Sequence, residues 1–301
     1  TCAAEALGTG VLGGLAAYPV ARFDMGLAPA GFTVYMIPFF ISTLAGSILA
    51  YVLLRIFEKS QVLDTVMREF MERNEILAAI LRKQPKIHCL TNPVTMNDVA
   101  NILLAAGGSA VMAQDEQEAA EITTFCQGTL LNTGVPDEAK IRACILAGKR
   151  ANQLGHPVVL DPVGVGGSSF RRRELRKLLD HVHPAVVRCN QEEAAVLCSF
   201  HSEQETHFSH GGVESSLHMD AQDLTQLART AASLYNCTFF IPGKTDVVSD
   251  GEQTILLSGG DPRLCRITGG GCMLSALCAL FCCSEASAFE AASTAGQLWK
   301  E

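Results

Sequence analysis

From Met25 to Leu54 the chain runs for 30 residues without a charged side chain. Few environments accept such a run. A helix needs about 20 apolar residues to cross a bilayer. The segment IPFFISTLAGSILAYVLLRIF, residues 37–57, has that length, and Arg55 and Lys59 at its end favour a cytoplasmic exit. Residues 1–58 hold only five charged side chains (Glu5, Arg22, Asp24, Arg55, Glu58), while the rest of the chain holds 49 of the 54. Two physically different parts are therefore expected. A second uncharged run, Ala6 to Ala21, is the end of another span on this reading; a buried hairpin in a soluble protein is the alternative. A signal peptide is excluded, because there is no basic start and no cleavage context. Gly8, Gly10 and Gly13 spell GxGxxG, but no strand precedes them and Asp24 comes too early for a dinucleotide fold. Small residues at helix contacts explain these glycines better.

The remainder has the charge density of an ordinary globular domain. The net charge of −8 and the lack of a basic block exclude a broadly basic nucleic-acid binder. Twelve cysteines occur without a CxxC pair, which removes the zinc-ribbon and thioredoxin readings. They read as small buried hydrophobes in a reducing compartment. Residues 60–84 carry apolar side chains at helical spacing (Val62, Val66, Phe70, Ile76, Leu77, Ile80), and Pro85 stops the helix.

Short apolar runs then alternate with helical patterns. Strands are expected at 86–90, 110–112, 129–132, 157–161, 185–190 and 238–243. A helix is expected over 137–154, opened by Asp137 and closed by Gly155. Others follow at 170–180 and 221–235, and a last pair starts at Gly271. PVVLD shows no polar alternation, as in a sheet covered on both faces. Units of this kind build a three-layer α/β/α domain on a mostly parallel sheet.

Ligands of such sheets sit at the carboxyl ends of the strands. Asn92, Asp161, Arg188, Asn190 and Gly243 stand at those ends. In ITGGGCMLSALCAL, residues 267–280, three glycines precede an apolar helix. Backbone N–H groups at a helix start attract anions, and glycine allows close approach. This suits a phosphoryl group, although a plain tight turn has the same spelling. Asp161 beside a glycine loop, with Asn190 and Glu193 as N-x-x-E, offers hard oxygen ligands for Mg²⁺. Taken singly, each is equally a helix cap or a surface acid. Arg188 can clamp a phosphate or form a surface ion pair.

These residues carry a resemblance. HCLTNPVTMNDVANILLAAGGSAVMA, VVLDPVGVGGSSFR, VVRCNQEEAAVL and TGGGCMLSA, in this order, resemble the hydroxyethylthiazole kinase (ThiM) family of the ribokinase-like superfamily. The match covers residues 70–301. GTGVLGGLAAYPVARF and YMIPFFISTLAGSILAYVLL are similar to the end of ThiW-type thiazole permeases, over residues 5–58. The first resemblance implies phosphorylation of 4-methyl-5-(2-hydroxyethyl)thiazole with ATP and Mg²⁺, a salvage step toward thiamine, in a homotrimer. It implies that Asn92, Met112 and Gly269 contact the thiazole, that Arg188 and Asn190 contact ATP, and that Asp161 and Glu193 organise Mg²⁺. Gly269 to Cys272 would supply the anion hole, with Gly269, Gly271 and Cys272 nearest the chemistry. Together the two resemblances imply a permease-like segment at 1–58, a linker helix at 59–84 and a kinase domain at 85–301 with a shortened C-terminus. They imply a cytoplasmic kinase domain attached to the cell membrane and coupled to thiazole uptake, with no nucleic-acid partner. A hydroxymethylpyrimidine kinase and a transport protein without catalysis are the other readings.

The sequence departs from the family in places. Gly270 takes the middle of a turn commonly spelled GTGC or GAGC, and Pro242 stands where the family commonly has an ATP-contacting threonine. Weaker nucleotide binding is expected, since proline lacks both hydroxyl and N–H. Cys272 occupies the place of the catalytic Asp of related sugar kinases. A helix N-terminus is expected to lower its thiol pKa, which makes it a candidate base. His201, His207, His210 and His218 crowd one polar stretch, which reads as a solvated loop rather than a metal site.

Overall fold

Six apolar runs form parallel strands because each can be buried on both faces. The computed structural model describes residues 33–60, 62–201 and 219–301, together with Leu12, Ala16, Pro19, Val20 and Phe23. The chain divides into two compact units, Thr1–Met71 and Glu72–Glu301.

In the first unit, helix α1 spans Thr33–Ser60. Ser42, Thr43 and Ser47 put polar atoms along it, and the Arg55 Nε–H donates to the Tyr51 hydroxyl one turn back at 3.1 Å. Among the described residues no helix is long and apolar enough to cross a membrane. The expected span at 37–57 lies within this apolar helix, and no crossing is shown for it. The second run at Ala6–Ala21 and the glycines at 8, 10 and 13 lie outside the described residues. Helix α2, Val62–Lys83, follows, and the division between units falls within it.

The second unit alternates as its sequence implies. Strands β1 (Lys86–Leu90), β2 (Ser109–Val111), β3 (Gly128–Asn132), β4 (Val158–Asp161), β5 (Val186–Arg188), β6 (Thr238–Ile241), β7 (Asp246–Ser249) and β8 (Thr254–Leu257) form one sheet. Their order is β2-β1-β3-β4-β5-β6-β7-β8. Pairing is parallel from β2 through β6 and antiparallel at β6–β7 and β7–β8. The helices are α3 (Met96–Ala105), α4 (Ala119–Phe125), α5 (Glu138–Leu154), α6 (Ser169–Leu179), α7 (Gln191–Ser199), α8 (Ala221–Tyr235), α9 (Gly270–Phe281) and α10 (Ala288–Lys300).

Two apolar cores lie on opposite faces of the sheet. Leu131, Leu160, Val187 and Phe239 pack with α5 to α8, while Leu130, Val159, Val186 and Phe240 pack with α3, α9 and α10. Successive strand residues alternate between the cores, so the strands need no polar face. This is the expected three-layer arrangement. Helix α5 begins and ends as its sequence indicates. Asp137 accepts the Lys140 N–H at 2.7 Å, and Gly155 takes the left-handed conformation at φ 70°. The cysteines behave as small hydrophobes: Cys89, Cys144, Cys189 and Cys278 are fully buried and free.

Candidate functional site

Parallel strands aim their carboxyl ends to one side, and the loops that leave them enclose a cavity of about 950 Å³. Asn92, Asp161, Arg188, Asn190, Glu193 and the Gly269–Cys272 turn all line it. Most of the residues chosen from strand ends therefore converge. Met112 does not line this cavity. It follows edge strand β2, two strands away from β3, and packs partly buried against the core under α3 and α9. Pro242 and Gly243, after β6, also stand apart from its lining.

Asp161 ends β4 and is fully buried. Its Oδ2 accepts from Asn132 Nδ2 at 2.8 Å and from the Ser275 hydroxyl at 2.9 Å. Its Oδ1 has no hydrogen-bond partner and lies 3.9 Å from Arg188 Nη1. Burial raises the Asp161 pKa above the usual carboxylate range, against the pull of Arg188.

Glu193 is used differently. Its Oε2 accepts the Asn190 N–H at 2.8 Å, and Asn190 Oδ1 accepts the Glu193 N–H at 2.9 Å. This reciprocal pair closes a capping box at the start of α7. Oε1 accepts the Gly164 N–H at 2.7 Å, which ties the loop after β4 to α7. Burial, followed by the charge of Asp161, pushes the Glu193 pKa up to about 7.

The glycine turn lines the same cavity. Gly269 caps α9 in the left-handed conformation at φ 81°, and no side chain caps that end. A Cβ there would also stand 2.7 Å from Thr95 Cγ2, so glycine is required twice over. The Gly270 N–H donates to the Ile267 carbonyl at 3.2 Å. That bond takes one of the four amides expected from sequence, while Gly271 and Cys272 stand in the first helical turn, where N–H groups lack an intrahelical partner. The Arg188 guanidinium lies against Gly271, where a Cβ would come within 2.8 Å of its central carbon.

Cys272 contradicts one expectation. Its thiol pKa is raised, because burial and the nearby Asp161 charge outweigh the hydrogen bonds and the Arg188 charge that favour the thiolate. Asn132 Nδ2 donates to its sulfur at 3.2 Å and Asn92 Nδ2 approaches at 3.6 Å. A thiol in this setting is a poor resting base.

Four lining or adjacent residues went unnoticed in the sequence. Asn132 ends β3, so the strand-end rule that selected Asp161 would have found it. Lys140 is buried on α5, with Nζ donating to the Gly134 carbonyl at 2.6 Å; burial lowers its pKa. Arg171 donates from Nη1 to the Val163 carbonyl at 2.8 Å, and Arg266 precedes the glycine turn; both line the cavity. Nothing in their spacing marks them. Among the described residues no group of three or more His, Cys, Asp or Glu could hold a metal, and His207, His210 and His218 lie outside those residues.

Comparison with known proteins fits this geometry. The family model described as "Hydroxyethylthiazole kinase family" matches residues 77–301, and that of "Thiamine-precursor transporter protein (ThiW)" matches residues 1–60. The hydroxyethylthiazole kinase of Clostridium beijerinckii is 40% identical over 211 residues, covering 69% of this chain and 74% of that relative. The solved structure of the Pyrococcus horikoshii hydroxyethylthiazole kinase has a TM-score of 0.65 at 32% identity, covering 73% of this chain and 80% of that one. An ADP complex of Bacillus subtilis pyridoxal kinase has a TM-score of 0.52 at 16% identity, a likeness of fold alone. The second unit has the ribokinase-like α/β fold, and the chain belongs to the hydroxyethylthiazole kinase family.

Proposed function

We propose that the chain transfers the terminal phosphoryl group of ATP to the side-chain oxygen of 4-methyl-5-(2-hydroxyethyl)thiazole, a salvage step toward thiamine. One observation carries the reading: a half-satisfied buried carboxylate, an arginine and an uncapped glycine-rich helix start share one cavity. Phosphoryl transfer needs little covalent help and much positioning and charge stabilisation, which such a set provides.

In this reading the Gly271 and Cys272 amides receive the charge that develops on the transferred group, and Gly269 borders the alcohol. Arg188 and Asn190 face the nucleotide phosphates, and Asn92 touches the thiazole. Met112 enters through its motif alone. The unpartnered Asp161 Oδ1, with Glu193 in the same cavity, fits a Mg²⁺ that arrives on ATP and keeps most of its waters. When bound, that ion supplies charge neutralisation to the phosphates.

The deciding experiment incubates the 301-residue chain with Mg-ATP and either the thiazole alcohol or hydroxymethylpyrimidine, and measures ADP. Turnover is expected with the thiazole. Turnover with the pyrimidine alone would replace the substrate, and none with either would favour a transport or binding protein.

The ThiW match over residues 1–60 supports a subordinate reading. Residues 1–58 would deliver the alcohol, residues 59–84 would link, and the domain at 85–301 would trap the product by phosphorylation. Membrane attachment with the kinase domain in the cytoplasm rests on that match alone. Equal uptake into liposomes with and without residues 85–301 would dismiss trapping. Assembly as a homotrimer is a further expectation, read by sedimentation.

A further inference from the structure

Two backbone N–H groups decide how the polar floor of the cavity is wired. The Gly134 N–H donates to Asn132 Oδ1 at 2.9 Å, and the Val94 N–H donates to Asn92 Oδ1 at 3.1 Å. A backbone N–H can only donate, so neither amide can be flipped. Asn92 Nδ2 must then face Asn132 Oδ1, which it does at 3.1 Å. Asn132 must turn both of its N–H groups to the other side. There they meet Asp161 Oδ2 at 2.8 Å and Cys272 Sγ at 3.2 Å. Asn132 is fully buried, and its amide is engaged on both atoms. With the Ser275 hydroxyl also on Oδ2, Asp161 keeps one oxygen, Oδ1, without a hydrogen bond.

We propose that Asn132 is the positioning residue of the phosphoryl transfer, holding Asp161 so that Oδ1 alone faces the reactants and fixing Cys272 and Asn92 on either side. It touches neither substrate; it acts through the three side chains that line the cavity. The inference rests on the kinase reading above. A plain structural asparagine would hold a turn, and the Gly134 N–H bond alone does that. The other three bonds join residues from the ends of three different strands and from α9, all at the cavity.

Asn132→Asp separates the two sides of this amide. The carboxylate still accepts from Gly134 and Asn92, but it sets a negative oxygen where two donors met Asp161 and Cys272. The expected result is a loss in kcat on the order of 10²-fold, with the KM for the alcohol within about threefold of native. Gly134→Ala is the second variant, because it changes no charge and removes no donor. Its Cβ would stand 2.9 Å from both Asn132 Oδ1 and Asn92 Nδ2, forcing that pair apart. Both kcat and the alcohol KM are expected to worsen, by about tenfold each.

Both variants of the full chain are compared with native protein by ADP release at saturating Mg-ATP and by thermal melting. The alcohol used is whichever of the thiazole and the pyrimidine native protein turns over. Failure on the thiazole alone therefore removes the substrate reading, and the kcat-against-KM split still judges Asn132. A native-like kcat in Asn132→Asp overturns the inference. So does a loss in either variant that only tracks a lowered melting temperature. Native protein inactive on both alcohols overturns it together with the kinase reading.

Discussion

Asp161 and Glu193 are both buried acids in one cavity wall, yet the fold treats them in opposite ways. Glu193 spends both oxygens on backbone N–H groups, at Gly164 and Asn190. Asp161 has one oxygen bonded twice and the other without a hydrogen bond, with only the Arg188 charge 3.9 Å away. A buried oxygen without a partner is costly unless a ligand satisfies it. Glu193 therefore pins a loop to a helix start, while Asp161 leaves an oxygen open to a ligand. Both are buried acids near strand ends; the count of satisfied lone pairs tells the two apart.

The hardest break of this contrast is Asp161→Asn. The amide oxygen can still accept from Asn132 and Ser275, so the fold should persist. The oxygen left for the reactants becomes an amide N–H₂. We expect kcat to fall on the order of 10³-fold with a melting temperature near native, measured by ADP release and calorimetry.

Glu193→Gln should cost less activity, about tenfold in kcat, because the pin is weakened while the free oxygen on Asp161 stays. Its clearer signature is in stability against pH. A carboxyl held at about 7 in the fold, against an ordinary 4.5, binds its proton more tightly folded than unfolded. That contribution is complete below pH about 4.5 and is lost as pH rises through about 7. The native chain without nucleotide should thus lose on the order of 3 kcal/mol across this window from Glu193. The variant should show a flatter slope in urea titrations. An unchanged slope would mean that Glu193 is not held protonated by its surroundings.

Gly271→Ala tests the glycine turn. The new methyl would press on the Arg188 guanidinium and move the one arginine already paired with Asp161. The KM for ATP should rise by about tenfold, while the KM for the alcohol changes little.

The layers were legible in the sequence because uncovered apolar runs such as VVLD can only be buried on both faces. The helix ends at Asp137 and Gly155 were legible because capping is local chemistry. The hairpin of β7 and β8 was not expected, although Asp250-Gly251 stands at its turn and Gly251 has φ 99°. In the site, the strand-end rule gathered Asp161, Arg188, Asn190 and Asn92, since topology alone brings strand tips together. It was not applied to Asn132, which follows an equally apolar TLL. Arg171, which lines the cavity, and Lys140, which bonds the Gly134 carbonyl, were beyond such reasoning, because where a long side chain on a helix ends up depends on helix packing. The membrane reading of residues 37–57 rests on run length, which does not by itself say whether an apolar helix crosses a bilayer.

The smallest effect is expected at Cys272, and it separates position from chemistry. From sequence, a thiol at a helix start looks activated. In the fold it is buried beside Asp161, which raises its pKa, while two amides offer it hydrogen bonds. A residue that is mainly protonated cannot be the standing base of the reaction. Serine keeps an acceptor for Asn132 and leaves the main-chain amide in the helix start unchanged. Cys272→Ser should therefore keep kcat within about threefold of native, since the backbone and not the sulfur receives the phosphoryl charge. A drop on the order of 10²-fold, with no change in melting temperature, would return the proton transfer to the thiol and leave Asp161 as an anchor for charge alone.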